Sequence, residues 1–462
     1  MSASARLQPM RPVDVGVPGP TALDMAWAFR SIRADPLSFL VEMADHFGDL
    51  VAFPVPGAPA LLVNDPADAR HVLQTSARNW GKRTVQYAAL ARVTGPGLLA
   101  SAEPSWIEHR RLAAPAFHHQ RLEAVGEQVR AAADTAIGAR LGRHLPPTGQ
   151  VVDVAALTHH IGLDAVGRAL FSTDLSGRAQ ELLGATSEAA RLVVKLGRSV
   201  LPTVEWAPTP TNLQLRSTRR RLTGISFELI AERRRRPRSP GGSHGDDLLG
   251  LLLDGGMSDD EVRDELVTMV IAGHETVAAA LAWTLMLLAE HPSAQDRLRE
   301  ELAGHRGEVP MLGHRDRLPW TRAVIDESLR LYPPAWALSR RSHQADVVGG
   351  FPVPAGTMVI ISPWLLHRRD GSWPDPSAFR PQRFLEAGAG RWGYLPFGQG
   401  PRLCIGREFA VGEMVLVLSR LLSHHRVALP PGWSRPAARA QVAVHPHGGM
   451  PLLVTHVDSS PR

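Results

Sequence analysis

The sequence contains very little cysteine and very little lysine. Cys404 is the only cysteine among 462 residues, so an intramolecular disulfide framework is excluded and nothing favours an oxidising compartment. Lys82 and Lys195 are the only lysines, so arginine carries almost all of the positive charge behind the net charge of +6. The arginines are scattered without a nucleic-acid recognition motif, which argues against a nucleic-acid partner. We therefore expect a cytoplasmic protein, and its basic surface is either a generally solvated one or a face that attracts an acidic partner protein.

The N-terminal segment lacks an apolar stretch. Residues 1–22 are rich in proline and glycine and contain no hydrophobic core of a signal peptide. We expect this segment to be flexible, without a membrane anchor. We expect residues 23–462 to form a single domain, because motifs far apart in the chain must converge on one site.

Long hydrophobic runs are also scarce, and the strongest covers residues 267–288. It lies within a predicted helix over 258–290 that begins with a capping box formed by Ser258 and Glu261. The run is long enough to cross a membrane, but residues 273–276, Gly-His-Glu-Thr, place ionisable groups near its middle, where they are costly in lipid. A helix that is apolar all round is otherwise typical of burial at the centre of a large protein. We predict a buried central helix and no membrane span.

The rest of the pattern is mainly helical, almost throughout residues 122–236. Apolar runs at 50–55 and 59–63, separated by a Pro-Gly turn, predict a β-hairpin, and residues 347–361 are rich in β-formers. The stretch from about 77 to 102 is predicted to be irregular, and it is either a binding loop or an ordinary surface connection.

The residues with the most specific chemistry lie at 397–406, in the segment FGQGPRLCIG. Arg402 places a cation two residues before Cys404, and a nearby cation favours the thiolate form that binds metals. The apolar run 409–422 predicts a helix, so Cys404 is expected near a helix N-terminus, where negative charge is stabilised. Three glycines allow the backbone to turn tightly and a flat ligand to approach: Gly398, Gly400 and Gly406.

The pattern Phe-x-x-Gly-x-Arg-x-Cys-x-Gly in this segment resembles the haem-binding loop of the cytochrome P450 family. The resemblance implies a mainly α fold with small β-sheets, in which haem b lies between the helix of Thr276 and the loop of Cys404. It implies that Cys404 is the iron ligand. Other loop positions implied to contact the cofactor are Phe397, Gly398, Arg402 and Gly406. The alternative is an inert, buried cysteine on a turn, which five matched positions in ten residues argue against.

Trp106 and Arg110 lie four residues apart, on one face of a predicted helix. Both side chains are donors, and their spacing suits two neighbouring carboxylates. The pair resembles the family's Trp-x-x-x-Arg element, which implies contact with the haem propionates. The resemblance also implies a further propionate ligand at Arg341, with Arg340 as its less favoured neighbour.

The polar interruption of the long helix contains Ala272 and Gly273, whose lack of bulk would let something flat lie against the helix. Ala-Gly-His-Glu-Thr at 272–276 resembles the family's oxygen-activation motif. The resemblance implies that Thr276 hydrogen-bonds the bound dioxygen and that Glu275 helps to supply protons. Val277 replaces a second hydroxyl residue found in many members, which leaves the proton route open.

Glu327 and Arg330 are close enough to pair on one helix turn. A surface salt bridge is the ordinary interpretation of this spacing. Followed by Arg383, however, the order resembles the family's structural triad, which implies a buried ion network behind the cysteine loop. We expect these residues to support folding and haem uptake.

The resemblance implies a monooxygenase that uses O2 and acts on a hydrophobic small molecule. No flavin or iron–sulfur motif is present, so electrons would come from a ferredoxin-type donor with its reductase, docking near Arg110, Arg111 and Arg402. The stretches 84–99 and 331–342 are similar to those of bacterial carotenoid ring hydroxylases, which implies a carotenoid or other terpenoid substrate. The alternative is tailoring of an aromatic, peptide or polyketide natural product.

Two other classes of protein also use a reactive cysteine and are alternatives for this sequence. A haem-thiolate sensor would need no proton supply, so the Glu275-Thr276 pair argues against it. A cysteine hydrolase would need a base beside Cys404, and the sequence offers no motif for one. Three histidines near the C-terminus lack a metal-ligand spacing and are interpreted as belonging to a solvated loop: His445, His447 and His456.

Overall fold

The computed structural model describes residues 15–55, 58–142, 145–173, 175, 177, 179–197, 206–238, 242–305, 309, 311–386 and 393–457. Most of the N-terminal segment that the sequence predicts to be flexible, residues 1–14, lies outside the described residues, as does the Pro-Gly turn of the predicted hairpin.

The described chain is mainly helical with small sheets, as expected. The α-helices are α1 Ala22–Ala34, α2 Pro36–Phe47, α3 Pro66–Arg70, α4 Val85–Thr94, α5 Ser105–Ala113, α6 His119–Leu141, α7 Val154–Phe171, α8 Ala179–Gly197, α9 Pro210–Arg235, α10 Leu248–Asp254, α11 Asp259–Glu290, α12 Pro292–Ala303, α13 His314–Arg317, α14 Pro319–Leu331, α15 Pro363–Leu366 and α16 Arg407–His424. The strands are β1 Leu50–Phe53, β2 Ala60–Val63, β3 Trp80–Gly81, β4 Gln150–Asp153, β5 Leu338–Ser342, β6 Asp346–Val348, β7 Phe351–Val353, β8 Met358–Ile361, β9 His425–Ala428, β10 Ala438–Ala440, β11 Val444–Pro446 and β12 Pro451–His456.

The chain forms two compact units, and the first is built from residues 1–84, 336–376 and 390–403. Its five-stranded sheet has the order β1-β2-β8-β5-β3. The antiparallel pair β1 and β2 confirms the predicted hairpin. Strand β2 is apolar at every position because both faces of the sheet are covered: Leu61 and Val63 pack into one core cluster and Ala60 and Leu62 into another.

The second unit contains residues 85–335, 377–389 and 404–462. It is a helical assembly around α11, with a three-stranded sheet of order β4-β12-β9 and the pair β10-β11. Helix α7 packs closely on α11, where the Thr158 hydroxyl donates to the carbonyl of Ala278 at 2.9 Å. All of the residues that the sequence links to oxygen chemistry, Cys404 included, belong to this unit.

Helix α11 confirms the predicted central helix. Its N-terminus carries the expected capping box of Ser258 and Glu261. By length and composition alone it is the one helix of the described chain that could cross a membrane, yet 83% of its apolar window is buried within the protein. Burial on all sides explains why its sequence shows no polar face.

The stretch predicted to be irregular contains a helix, α4. The prediction was wrong there because the segment is short and its apolar residues give little periodicity. Ala89 and Val93, one turn apart, pack into an apolar cluster with residues of α8, α9 and α11. Tertiary packing therefore stabilises a helix that local sequence signals do not specify.

Candidate functional site

Helix α11 has one open strip. Between Asp264 and Ala289 every residue is buried except Ala272, Gly273 and Thr276, which retain partial exposure. Within residues 264–289, this narrow accessible strip is where α11 leaves room for a ligand.

The two small residues of this strip have different roles. A Cβ added to Gly273 would lie 2.9 Å from Cγ2 of Val166 on α7, so the absence of a side chain there permits close helix packing. The sequence interpretation that Gly273 makes space for a flat ligand is therefore incomplete, because helix α7 takes up that space. Ala272 and Thr276 remain as the positions available to a ligand.

The Thr276 hydroxyl donates a hydrogen bond of 2.8 Å to the carbonyl of Ala272, one turn back along α11. This bond satisfies the hydroxyl within its own helix. A ligand that attracts the hydroxyl must compete with this bond.

Glu275 is an acid held in its neutral form. Its side chain is 3% exposed, and burial raises its pKa from 4.5 to about 8. Its Oε2 atom has no hydrogen-bond partner among the described residues, and Nε2 of His445 lies 3.9 Å from it. At neutral pH the carboxyl therefore carries a proton that it can donate.

Cys404 lies three residues before the first residue of α16, and its side chain is exposed. The helix N-cap is Gly406, so the thiol is close to the positive end of the helix dipole, as the sequence predicts. Arg110 of α5 is near enough to sense this sulfur: partial burial lowers the pKa of Arg110, and the charge on Cys404 opposes that shift. A guanidinium beside the thiol favours the thiolate.

Trp106 and Arg110 lie on α5, as predicted, with the guanidinium carbon 5.8 Å from the centre of the indole ring. Both side chains are only partly buried, so their donor groups are accessible to a carboxylated ligand near Cys404.

A contact that the sequence analysis missed holds α5 on α11. His109, adjacent to Arg110, hydrogen-bonds through Nδ1 to Oε1 of Glu265 at 2.7 Å. Glu265 is 1% exposed, and the bond to its carboxylate raises the pKa of His109. The two residues are 156 positions apart, and no local motif in the sequence pairs them.

The residues of the predicted triad lie together in a buried ion network. Glu327 Oε2 accepts from Nε of Arg330 at 2.7 Å, and Oε1 accepts from Nε of Arg383 at 3.1 Å. Oε1 also accepts from the backbone N–H of Arg380 at 2.8 Å. Because Glu327 and Arg330 are fully buried, each charge depends on the other for compensation.

The remaining loop residues, Phe397, Gly398 and Arg402, belong to the other unit and are partly buried. Among the glycines of this loop, Gly400 has the clearest structural requirement. Its φ is +72°, and a Cβ there would lie 1.9 Å from the carbonyl oxygen of Leu73. No side chain fits at that position.

The two arginines of β5 lie on opposite faces of their strand. Arg341 is exposed and donates from Nε to the carbonyl of Gly356 at 3.0 Å, whereas Arg340 is 4% exposed. The assignment of a propionate contact to Arg341 stays a prediction, and Arg340 competes with it from the buried face.

These features fit haem b. An exposed thiol at a helix N-terminus can ligate iron, the nearby Trp106 and Arg110 can donate to carboxylates, and the open strip of α11 can admit a flat group.

Comparisons with known proteins identify the family and relatives of this chain. The family model described as "Cytochrome P450" matches residues 17–452. The chain is 33% identical to cyclooctat-9-en-7-ol 5-monooxygenase of Streptomyces melanosporofaciens, over 93% of each chain. It is also 33% identical to pentalenene oxygenase of Streptomyces avermitilis, over 89% of this chain and 91% of that one. The crystal structure of CYP175A1 from Thermus thermophilus superposes with a TM-score of 0.75 and 31% identity, over 94% of this chain and 98% of the other.

Proposed function

Because this chain belongs to the cytochrome P450 family and is a monooxygenase of that family, we propose that it inserts one oxygen atom of O2 into a terpenoid, carotenoids included. The observation that carries the proposal is the placement, in one unit, of an exposed Cys404 at the start of α16 and a neutral, buried Glu275 beside Thr276. The overall reaction consumes one O2, two electrons and two protons and yields a hydroxylated product and water. Haem b, when bound through the Cys404 thiolate, supplies the oxygen chemistry.

The protein's own contribution to proton supply begins at Glu275. With a pKa of about 8 this carboxyl is protonated at neutral pH, so it can act as an acid without first taking up a proton. Thr276 follows Glu275 in the chain and lies on the open strip. It can turn its hydroxyl from the Ala272 carbonyl toward a bound ligand. Together they would direct protons to one point on α11.

The names of two bacterial relatives support a terpenoid substrate. They state a reaction on cyclooctat-9-en-7-ol and on pentalenene, both of which are terpenoids.

The two electrons would come from an acidic ferredoxin and its reductase in the cytoplasm. Arg111 is exposed on α5, the helix that carries Arg110, and Arg407 is exposed at the first position of α16, where it pairs with Glu408 at 2.8 Å. Exposed arginines near the thiol would attract an acidic donor and make the rate of electron transfer fall as salt increases.

The proposed proton supply is tested by Thr276→Ala. The variant should bind haem normally, while a larger share of the reducing equivalents appears as hydrogen peroxide instead of product. Thr284→Ala is the matched control, because Thr284 makes the same bond to the carbonyl one turn back, at 2.7 Å, but in a buried part of α11. Equal coupling of electrons to product in wild type and Thr276→Ala would contradict the assigned role.

The substrate class is tested separately by titrating the haem absorption spectrum with a terpenoid panel and with matched aromatic and polyketide panels. We expect saturable shifts and hydroxylated products with terpenoids. Tight binding and turnover confined to aromatic or polyketide compounds would overturn the substrate proposal and leave the monooxygenase assignment intact.

A further inference from the structure

His445, which approaches Glu275, belongs to a cluster of three histidines that the sequence gives no reason to group. His274 is the neighbour of Glu275 on α11, His159 comes from α7 and His445 from β11. His445 is mostly buried, so the interpretation of the C-terminal histidines as a solvated loop is wrong for this residue. No group of three or more potential ligands with metal-binding geometry occurs among the described residues, so the cluster needs a different explanation.

Hydrogen bonding fixes two of the rings. Nδ1 of His274 lies 3.1 Å from the carbonyl oxygen of Val270, which can only accept, so Nδ1 must carry the hydrogen. Nε2 of His274 is then an acceptor for Nδ1–H of His159, 3.4 Å away. His159 in turn stacks on His445, with ring centres 5.4 Å apart and planes inclined by 29°. The stack holds the His445 ring with Nε2 toward Glu275.

Every group in this cluster is neutral at neutral pH. Burial lowers the pKa of His159 to about 4 and those of His274 and His445 to about 3. Glu275 is protonated, so its 3.9 Å approach to His445 is not an ion pair, and it is too long for a hydrogen bond.

Few other ionisable groups face the cluster. Asp153 and His160 act on His159 with opposite signs. Glu413 of α16 is a second buried carboxyl, and its Oε1 lies 3.7 Å from where a Cβ on Gly162 of α7 would be. Burial raises the pKa of Glu413 well above its usual value, which favours its neutral form.

We propose that His445 returns a proton to Glu275 after each donation by that carboxyl, and so connects it to solvent. The inference rests on the proposed role of Glu275. His445 is suited to this task because its side chain is 15% exposed, whereas that of Glu275 is 3% exposed. His445 acts on the reaction only through Glu275 and is therefore a positioning residue for the proton, not a catalytic residue.

The transfer balances without any change of oxidation state. When Glu275 loses its proton, the new negative charge in a buried site attracts a proton from Nε2–H of His445. A shift of about 1 Å brings the two atoms within hydrogen-bonding distance. Nδ1 of the same ring takes a proton from the solvent side, so the imidazole changes tautomer and stays neutral overall. Before the next donation the ring returns to the Nε2–H tautomer by proton exchange with water at its exposed edge, with no net gain or loss of protons. For each proton that Glu275 donates, one proton enters the His445 ring at Nδ1 and one leaves it from Nε2.

The first test compares His445→Gln with His447→Gln, an exposed histidine two residues along that serves as the matched control. His445→Gln should lower O2-driven product formation roughly tenfold, enlarge the solvent deuterium isotope effect and change the pH profile of the rate. Hydrogen peroxide brings its own protons, so peroxide-driven turnover should change much less. His447→Gln should match wild type throughout. Unchanged coupling, isotope effect and pH profile in His445→Gln would overturn the proposal.

A second measurement does not depend on turnover or on the folding of His445→Gln. Histidine ring-nitrogen NMR of the resting holoenzyme should show the His445 resonances shifting in Glu275→Gln, with those of His447 unmoved. Absence of any shift would contradict direct coupling between the two side chains. If Glu275→Gln impairs O2-driven turnover while His445→Gln does not, the inference fails and the proposed function stands; if neither does, the assigned role of Glu275 fails as well.

Discussion

Nδ1 of His109 on α5 lies 2.7 Å from the buried carboxylate of Glu265 on α11. This bond ties the helix that presents Trp106 and Arg110 to the helix that presents Thr276. The charge on Glu265 is poorly solvated, because its other oxygen has no partner among the described residues. Protonated His109 therefore stabilises both the fold and the placement of Arg110.

We expect His109→Gln to lower the free energy of unfolding by about 2 kcal/mol at pH 6, since an ion pair is replaced by a hydrogen bond from a neutral amide to the same carboxylate. The raised pKa of His109 sets the sign of the pH dependence: the stabilisation is complete below about pH 6.5 and is lost as pH rises through the folded-state value. Denaturant unfolding of both proteins from pH 6 to pH 9 measures this difference.

The exposed His119 on α6 supplies the control, as His119→Gln. A difference between wild type and His109→Gln that grows with pH, or that His119→Gln reproduces, would contradict the assigned ion pair.

The ion network around Glu327 should affect folding and haem uptake rather than the catalysed reaction. Arg383→Gln leaves a buried carboxylate with one guanidinium fewer, and we expect a loss of about 3 kcal/mol in the free energy of unfolding, together with reduced haem content. Turnover per bound haem should stay near that of wild type. Haem content and turnover, measured on the same preparations, check both statements.

Arg380→Gln is the matched control for this network, because Arg380 reaches Glu327 through its backbone N–H, which the substitution keeps. Normal haem content in Arg383→Gln, or a loss of turnover per haem without a loss of stability, would contradict the structural role.

The neutral state of Glu275 predicts a pH-dependent cost to stability. Its folded-state pKa is raised to about 8, so the folded protein holds a proton that the unfolded chain releases above about pH 4.5. Stability from this group therefore falls by about 1.4 kcal/mol per pH unit as pH rises from 4.5 to 8. Glu275→Gln removes the effect, so its advantage over wild type should grow across that range.

Unfolding free energies of Glu275→Gln and of Glu300→Gln, an exposed position on α12, check this prediction. A gain in Glu275→Gln that is the same at pH 5 and pH 8 would mean that Glu275 titrates in the folded protein as it does in the unfolded chain.

The cluster of His159, His274 and His445 limits stability at acidic pH. Below about pH 6.5 the unfolded chain protonates them, while His274 and His445 in the folded protein stay neutral to about pH 3. Stability should therefore also fall as pH decreases. Replacing His274 by Asn should flatten the acidic side of the profile, and an unchanged acidic side would contradict the burial argument.

Most features that could be predicted from the sequence are local motifs. The surroundings of Cys404 and the pair Glu275-Thr276 are contiguous in the chain, so their spacing alone indicates chemistry. The central helix was predictable because its capping box and apolar run are continuous. Glu327 and Arg383 could be paired only through a family resemblance.

What the sequence could not predict depends on packing between distant segments. His159 and His274 are 115 positions apart and meet only because α7 lies against α11. The same packing gives Gly273 a neighbour, Val166, that no local pattern reveals. Helix α4 was missed for a related reason, since its apolar residues are specified by what α8 and α11 present to them.

The most direct test of the account is the visible absorption spectrum of the purified protein, ferric and then reduced under carbon monoxide, for wild type and Cys404→Ala. We predict a far red-shifted Soret band in the wild type that is absent from the variant, because only a thiolate ligand produces it. A wild-type protein without haem, or a histidine-like spectrum that Cys404→Ala leaves unchanged, would contradict the assignment of Cys404 as the iron ligand.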